Sequence, residues 1–373
     1  MRIAMLGLKG IPATYGGVER NVEELAARLV ERGHEVLVYC RTHYTHADVA
    51  RKPYRGVELI RLPSVNRKIT DTLSHSLLST LDVLRRDVDV VIYHSLGNAL
   101  FTPLPRVSGK PTIIVLHGLE WHDEKWKGAP ETFFRASERV SMWGATRVAV
   151  SARWLQEDFR QRYGYEPAFV STGITFPEPE PVRQLPELGL MPRGYLLFVA
   201  RLVPGKGAHL LLEAYRKLDP AMPLVIVGDA PHEKKYHEQL RALATPHVKF
   251  LGFRYGAELA ELYSHAYLYV HPSTSDGLAI RLLEAMSYHN CALVSDIPAN
   301  REAVGPDGYG FQSGNVDDLC RALKELLAQP ELVAERRAQS RAYVAREYNW
   351  EQATDYYEHL CLEVTTAGKQ TRA

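Results

Sequence analysis

A chain of 373 residues with 46% hydrophobic content has room for two domains at about 100–200 residues each, and for buried cores without covalent staples. Its 45 Lys+Arg against 44 Asp+Glu, a formal charge of +1, exclude a dedicated nucleic-acid binder, which needs a basic excess against phosphates. A 24% charged fraction with ordinary Gly and Pro content excludes collagen-like and broadly disordered chains.

In chain order, short apolar runs at 3–6, 36–39, 57–62, 90–93, 112–116 and 148–150 read as strands. Helical patterns lie between them at 22–31, about 69–86 and 152–163, and Gly33 stops the first helix. Strands apolar on both faces and separated by helices predict a parallel sheet. Residues 174–193 break the texture, with prolines at 177, 179, 181, 186 and 192. Proline blocks both helix and central strand, so this segment is expected to be an interdomain linker. The alternation restarts with strands at 195–200, 224–227, 248–251, 267–270 and 292–295 and helices near 206–218, 233–243, 256–264, 278–289 and 315–328. The expected organisation is a first domain at 1–173, a second at 194–347, a closing helix at 348–364 packing back on the first domain, and a loose tail at 365–373. Ligands in doubly wound sheets bind beyond the carboxyl ends of the strands, so a cleft between two such domains is the expected site.

Cys40, Cys291, Cys320 and Cys361 are far apart and form no CxxC pair, which fits a reduced compartment better than a disulfide framework or zinc site. The apolar opening is too short for a signal peptide, and no run approaches the roughly 18 residues of a spanning helix. A soluble cytoplasmic protein is expected.

Three stretches carry candidate chemistry. Strand one runs into GLKGIPATYGGVER, where Gly16 and Gly17 let backbone approach a ligand, and N–H groups at the following helix start favour an anion. The spacing is not GxGxxG and Cys40-Arg41 ends strand two without an acid, so a nicotinamide site is weakly supported. A plain strand-to-helix turn, with Glu19 and Arg20 as solvated charges, is the alternative. The second domain opens with ARLVPGKG. Arg201 and Lys206 flank a Pro-Gly turn and can grip a diphosphate, Arg as a planar fork and Lys as a point charge, unless they are merely exposed loop cations. The stretch HPSTSDGLAIRLLEAMS at 271–287 places Asp276 before a helix expected to start near Gly277, with Glu284 two turns on. An acid beside helix N–H groups can bind hydroxyls while those groups take phosphate oxygens. Glu284, set among apolar neighbours, needs a partner, and a ribose diol is a plausible one. The alternative is Asp276 as an N-cap and Glu284 facing solvent.

These motifs in this order resemble the family 4 glycosyltransferases over nearly the whole chain. The N-terminal GIPATYGGVER region and GLEWHDEKWKG at 118–128 resemble a rhamnosyltransferase-like branch that builds bacterial surface polysaccharides. ARLVPGKG, IVGDAP, KFLGF, the 271–287 stretch and YNWEQATDYYEHL are similar to the family's nucleotide-sugar motifs and last helix. The resemblance implies the GT-B fold, two facing Rossmann-like domains with an interdomain cleft. It implies a retaining, metal-independent transferase with no cofactor, a nucleoside-diphosphate sugar as donor, and a saccharide or lipid-linked saccharide as acceptor. Residue by residue, Arg201 and Lys206 match the cations that neutralise the donor diphosphate, and Glu284 matches the acid that binds the ribose. Asp276 stands at the acid facing the donor sugar, and Gly277, Leu278 and Ala279 match backbone groups touching sugar and phosphate. Gly16 and Gly17 match the N-domain glycine turn, and His117 a histidine facing the transferred sugar, where a lone structural histidine is the alternative. Asp276 replaces the usual Glu, Ala279 and Ala230 replace Gly, and Arg281 occupies a position usually small or proline. Asp87-Val88-Asp89 reads as a loop leading into strand 90–93 rather than a metal site.

Residues 1–175 hold 24 basic and 19 acidic residues, and the remainder 21 and 25. The excess concentrates at Arg51, Lys52, Arg55, Arg61, Arg67 and Lys68, beside the amphipathic pattern at 69–86. Such a pair can hold a protein on the anionic inner face of the cytoplasmic membrane, or be a solvated loop and an ordinary core helix. Two functional alternatives stay open: a GT-B transferase on a soluble acceptor, and a catalytically silent nucleotide-sugar-binding subunit.

Overall fold

A computed structural model describes residues 1–370 apart from 15, 50–51, 68–69, 120, 122–127, 231–232 and 307. The expected GLEWHDEKWKG motif, the cations Arg51 and Lys68, and the last three residues of the tail thus fall wholly or partly outside the described residues. The chain divides into two compact units, Met1–Gly173 with the segment from Trp350, and Ile174–Asn349.

The first unit alternates β1 (Arg2–Leu6), α1 (Gly17–Glu31), β2 (Glu35–Arg41), β3 (Glu58–Leu62), α2 (Thr70–Leu84), β4 (Val90–His94), α3 (Pro103–Val107), β5 (Thr112–Leu116), α4 (Ala129–Gly144), β6 (Arg147–Val150), α5 (Arg153–Tyr163) and β7 (Ala168–Phe169). Its sheet has the order β3-β2-β1-β4-β5-β6-β7, with parallel neighbours. Every residue of β4 and β5 is buried, as strands covered on both faces must be. In α1, Val22, Leu25, Ala26 and Leu29 form the buried stripe, the spacing of one helical face. A helix at Trp350–Gln370 closes this unit, burying Trp350, Ala353, Tyr357, Leu360, Cys361 and Val364 in the core shared with β1 and α1. Arg32 anchors it, its guanidinium reaching Glu351, Asp355 and Glu358 at 2.9, 2.6 and 3.0 Å. Residues 365–370, expected to be loose, continue this helix.

Helix α2 departs from an ordinary core helix. Its buried face carries His75, Ser76, Ser79, Thr80 and Val83, while Leu77, Leu78 and Leu81 are exposed. Two of the inward polar groups find partners: Ser76 bonds Asn98, and the Thr80 hydroxyl lies 2.7 Å from that of Tyr93, while the Ser79 hydroxyl has none among the described residues.

The second unit contains β8 (Leu196–Val199), α6 (Ala208–Leu218), β9 (Leu224–Val227), α7 (Lys234–Leu243), β10 (Val248–Gly252), α8 (Gly256–His265), β11 (Leu268–His271), α9 (Ile280–Ser287), β12 (Ala292–Ser295), α10 (Pro298–Val304), β13 (Tyr309–Phe311), α11 (Val316–Ala328) and α12 (Pro330–Glu347). Its sheet order is β10-β9-β8-β11-β12-β13, again parallel. The proline-rich stretch 174–193 belongs to this unit rather than forming a free linker. Ile174, Leu185 and Leu190 enter its core, and the buried Glu261 carboxylate accepts the N–H groups of Arg183, Gln184 and Leu185 at 2.7, 2.8 and 3.1 Å. Proline bars these residues from ladder and helix, and one carboxylate supplies three of the acceptors they then need.

Candidate active site

Each sheet reverses its strand order beside its first strand, between β1 and β4 and between β8 and β11. Loops leaving such adjacent strands diverge and leave a crevice at the carboxyl ends, where doubly wound proteins bind ligands.

In the second unit, β8 leads into a short turn, Pro204–Lys206, and β11 into the loop before α9. Gly207 takes φ 71°, and a Cβ there would stand 2.1 Å from the Pro272 carbonyl oxygen. Only glycine lets the two loops close to this distance. Thr274 N–H donates to Gly205 O at 3.0 Å across the same seam. The consequence is that Lys206 Nζ donates to Asp276 Oδ2 at 2.6 Å, with the Asp276 side chain only 12% exposed. His271 Nε2 lies 3.1 Å from the same oxygen, and the Tyr269 hydroxyl, which donates to Val199 O at 3.2 Å, lies 3.4 Å from His271 Nδ1. Burial alone pushes the Asp276 carboxyl up, but the Lys206 ammonium and His271 outweigh it and hold the group below the usual carboxylate range. Burial pushes His271 down despite Asp276 beside it. The site is thus an ionised carboxylate bridging a cation and a buried imidazole.

The helix expected from Gly277 begins at Ile280 instead, so Gly277, Leu278 and Ala279 form the turn ahead of it. Three consecutive residues with Leu282 and Leu283 N–H both aimed at Ala279 O make that residue the cap. Glu284 already has a protein partner: Arg281 Nη1 donates to Glu284 Oε2 at 2.6 Å, with the two side chains 32% and 18% exposed. Arg201 is exposed and forms no ion pair with a described residue. The structure therefore brings Lys206 and Asp276 together, and pairs Glu284 with Arg281.

In the first unit the glycine turn precedes α1, with Gly16 at φ 99° and Gly17 as the first helical residue. Part of its N–H capacity is already used. Glu19 accepts from Lys9 N at 3.4 Å and Glu23 from Ala13 N at 2.6 Å, so Glu19 braces the loop rather than being a solvated charge. His117 follows β5, and its Nε2 lies 3.1 Å from Nδ1 of His94, the last residue of β4. Burial pushes His117 down to about 4 and holds His94, with His117 beside it, well below the usual imidazole range, so both imidazoles are neutral near pH 7. Asp89, by contrast, accepts from Arg2 N at 2.7 Å at the amino end of β4, remote from the carboxyl ends. Among the described residues no group of three or more His, Cys, Asp or Glu is placed to hold a metal ion.

His94 and His271 were not singled out by motif. A signal existed: each is the polar last residue of an otherwise apolar strand, VVIYH and LYVH.

Two family models match the chain, Glycosyltransferase Family 4 over residues 15–175 and Glycosyl transferases group 1 over 187–344. The chain is 25% identical to a GDP-mannose-dependent alpha-(1-6)-phosphatidylinositol monomannoside mannosyltransferase of Mycolicibacterium smegmatis, across 93% of this chain and 94% of the relative. It is 26% identical to an alpha-maltose-1-phosphate synthase of Mycobacterium tuberculosis, across 97% and 100%. In structure it is similar to a sucrose-phosphate synthase from Thermosynechococcus elongatus, with TM-score 0.85, 19% identity and coverage of 98% and 99%. Two Rossmann-like units with polar clusters at their strand-order reversals define a GT-B nucleotide-sugar transferase. The chain belongs to the family 4 glycosyltransferases.

Proposed function

We propose that this glycosyltransferase moves a sugar from a nucleoside diphosphate to a lipid-linked saccharide with retention of anomeric configuration and without a metal or other cofactor. The observation that carries the donor half is the Lys206–Asp276–His271 cluster at the β8/β11 reversal. Lys206 and Arg201 neutralise the diphosphate as it gains charge on departure, and Asp276 fixes the Lys206 ammonium. The bond between the anomeric carbon and the phosphate oxygen breaks, the acceptor oxygen bonds to the same face of that carbon, and the acceptor proton passes to a phosphate oxygen of the leaving group. Glu284 receives the ribose hydroxyls, exchanging Arg281 for them. Backbone N–H groups of Gly277, Leu278 and Ala279 meet phosphate and sugar, the Gly16-Gly17 turn lies toward phosphate and acceptor, and His117 faces the transferred sugar.

The acceptor half rests on the outward leucines of α2. Leu81 is 44% exposed, and Val107 on the neighbouring α3 and Trp143 at the end of α4 are 82% and 63% exposed. Arg106 ties α3 to this end of α4 by donating to Ala145 O at 3.0 Å. Leucine, valine and tryptophan beside the exposed Arg85 and Arg106 suit the headgroup boundary of an anionic bilayer. The basic stretch contributes less than its composition implies, since Arg55 pairs with Glu24 at 2.5 Å and Arg61 donates to Thr45 O at 2.8 Å. No helix among the described residues is long and apolar enough to cross a membrane. One relative is named for a phosphatidylinositol mannoside acceptor.

The test is product formation from UDP-, GDP- and dTDP-sugars with lipid-linked and free saccharides, with NMR of the new anomeric centre and a parallel EDTA series. Retained configuration, unaffected by EDTA and with the lipid-linked acceptor preferred, is expected. Inversion, EDTA sensitivity or exclusive use of a sugar phosphate overturns the corresponding part, and donor binding without product marks a silent subunit. Co-sedimentation with anionic and neutral vesicles at low and high salt checks the membrane part: binding is expected to anionic vesicles and to be lost in Leu81→Glu, and absence of binding at both salt concentrations removes it.

A further inference from the structure

The histidine pair at the β1/β4 reversal is arranged more strictly than packing requires. In the β4–β5 ladder His94 is paired with Val115. His117 lies two residues past Val115, so the period-two pleat puts both rings on one face of the sheet. The rings lie 15° from parallel with centroids 5.4 Å apart, while Nδ1 of His94 and Nε2 of His117 are 3.1 Å apart. Five-membered rings whose facing nitrogens are that close reach this centroid separation only when they meet edge to edge. The N–H of one therefore points along the lone pair of the other, and a single proton occupies the gap.

Which ring supplies it follows from the far side of His94. His94 is 0% exposed, and its Nε2 has no hydrogen-bond partner. If His117 Nε2–H were the donor, the proton of neutral His94 would sit on Nε2, an N–H buried with no acceptor. That arrangement is rarer and costlier than a bare nitrogen in the same place. With His94 Nδ1–H as donor, its Nε2 is bare and His117 carries its own proton on Nδ1. The backbone holds His94 in place: a Cβ on Gly7 would stand 2.5 Å from His94 O, and Asn98 Nδ2 donates to the carbonyl oxygens of Gly7 and Ser95, both at 3.4 Å, as well as to that of His94.

We infer that His94 is a positioning residue that locks His117 in the Nδ1–H tautomer, so that His117 offers a sugar hydroxyl a fixed donor. The use made of that donor rests on the reading of His117 as facing the transferred sugar, whereas the tautomer does not.

The experiment is long-range 15N–1H correlation NMR on the full chain labelled at histidine, near pH 7, with His117 identified by the signal lost in His117→Gln. His117 is expected to be protonated at Nδ1. His94→Phe removes the donor and should move the His117 proton to Nε2. His94→Asn, whose amide nitrogen can stand where Nδ1 stood, should keep it on Nδ1. A His117 protonated at Nε2 in the unmutated chain overturns the inference, and so does an Nδ1 proton that persists in His94→Phe. In the transferase assay kcat should fall about tenfold or more in His94→Phe, as for loss of a preorganised donor, and recover in His94→Asn. Equal losses in both variants reduce His94 to packing. If the unmutated chain transfers no sugar, the proposed function fails, while the NMR measurement still decides the tautomer.

Discussion

In both units the candidate residues gather where the sheet reverses its strand order, and in both the second of the two strands ends in histidine. The electrostatics differ. At the β8/β11 reversal the groups are charged: Lys206 against Asp276, with Arg281 and Glu284 one helix turn further on. At the β1/β4 reversal they are neutral imidazoles and glycine backbone, and the loop N–H groups are partly taken by Glu19 and Glu23. Under the proposed function, the same topology serves a diphosphate in the second unit and hydroxyl groups in the first. Topology sets where a crevice opens, and the side chains at the strand ends decide what it holds.

The comparison can be broken most sharply at Lys206. Lys206→Ala should lower turnover by about 10²–10³ with the fold intact; near-normal kcat alongside an unchanged circular dichroism spectrum would remove the charged site from the reaction. A second contrast lies in the glycines. Gly207→Ala meets the Pro272 backbone oxygen, while Gly16→Ala meets the Glu19 carboxylate, which can swing away. Gly207→Ala should therefore cost about 1–3 kcal/mol and Gly16→Ala less, and urea midpoints in the reverse order would contradict the loop seam.

A pH contrast follows from the first unit. Burial pushes His75 down to about 4, with Arg41 adding to it and Cys40 O and Asp71 opposing it. Its folded value lies below its unfolded value, so the unfolded chain binds more protons between about pH 6.5 and 4. Stability is full above that window and falls through it as pH drops, by up to about 2 kcal/mol at pH 5. Melting temperatures at pH 7 and 5 should show this fall and His75→Phe should diminish it; a pH-independent melting temperature would count against a neutral buried imidazole. The smallest effect is expected at Arg281. Its ion pair with Glu284 is partly exposed and worth about 0.5 kcal/mol, so Arg281→Val should lower the donor KM by only about twofold. A raised KM would assign Arg281 to the donor itself.

Much of this was legible along the chain. Strands such as VVIYH and TIIVL are apolar throughout and need no tertiary context to be read as covered on both faces. Lys206 and Asp276 carried enough motif context to be singled out individually. The proline-rich stretch 174–193 was misread because its anchor, Glu261, is some 80 residues away, and nothing local to either segment shows that the two meet. Helix α2 was readable as amphipathic, but not the direction in which its leucines point, because its inward Ser76 and Thr80 are satisfied by Asn98 and Tyr93 from other elements. The strands β7 and β13 have 2 and 3 residues, too short for any periodicity.

Length and hydrophobic periodicity by themselves determined two domains and an α/β alternation, because they are local properties that survive without a fold. Tertiary structure alone decided which charges meet. The near-zero total hides Lys206 and Asp276, 70 positions apart in sequence and 2.6 Å apart in space, and two histidines 23 positions apart that share one proton. Hydrogen bonds and ion pairs act over a few ångströms, and only the crossing of parallel strands brings such distant residues within that range.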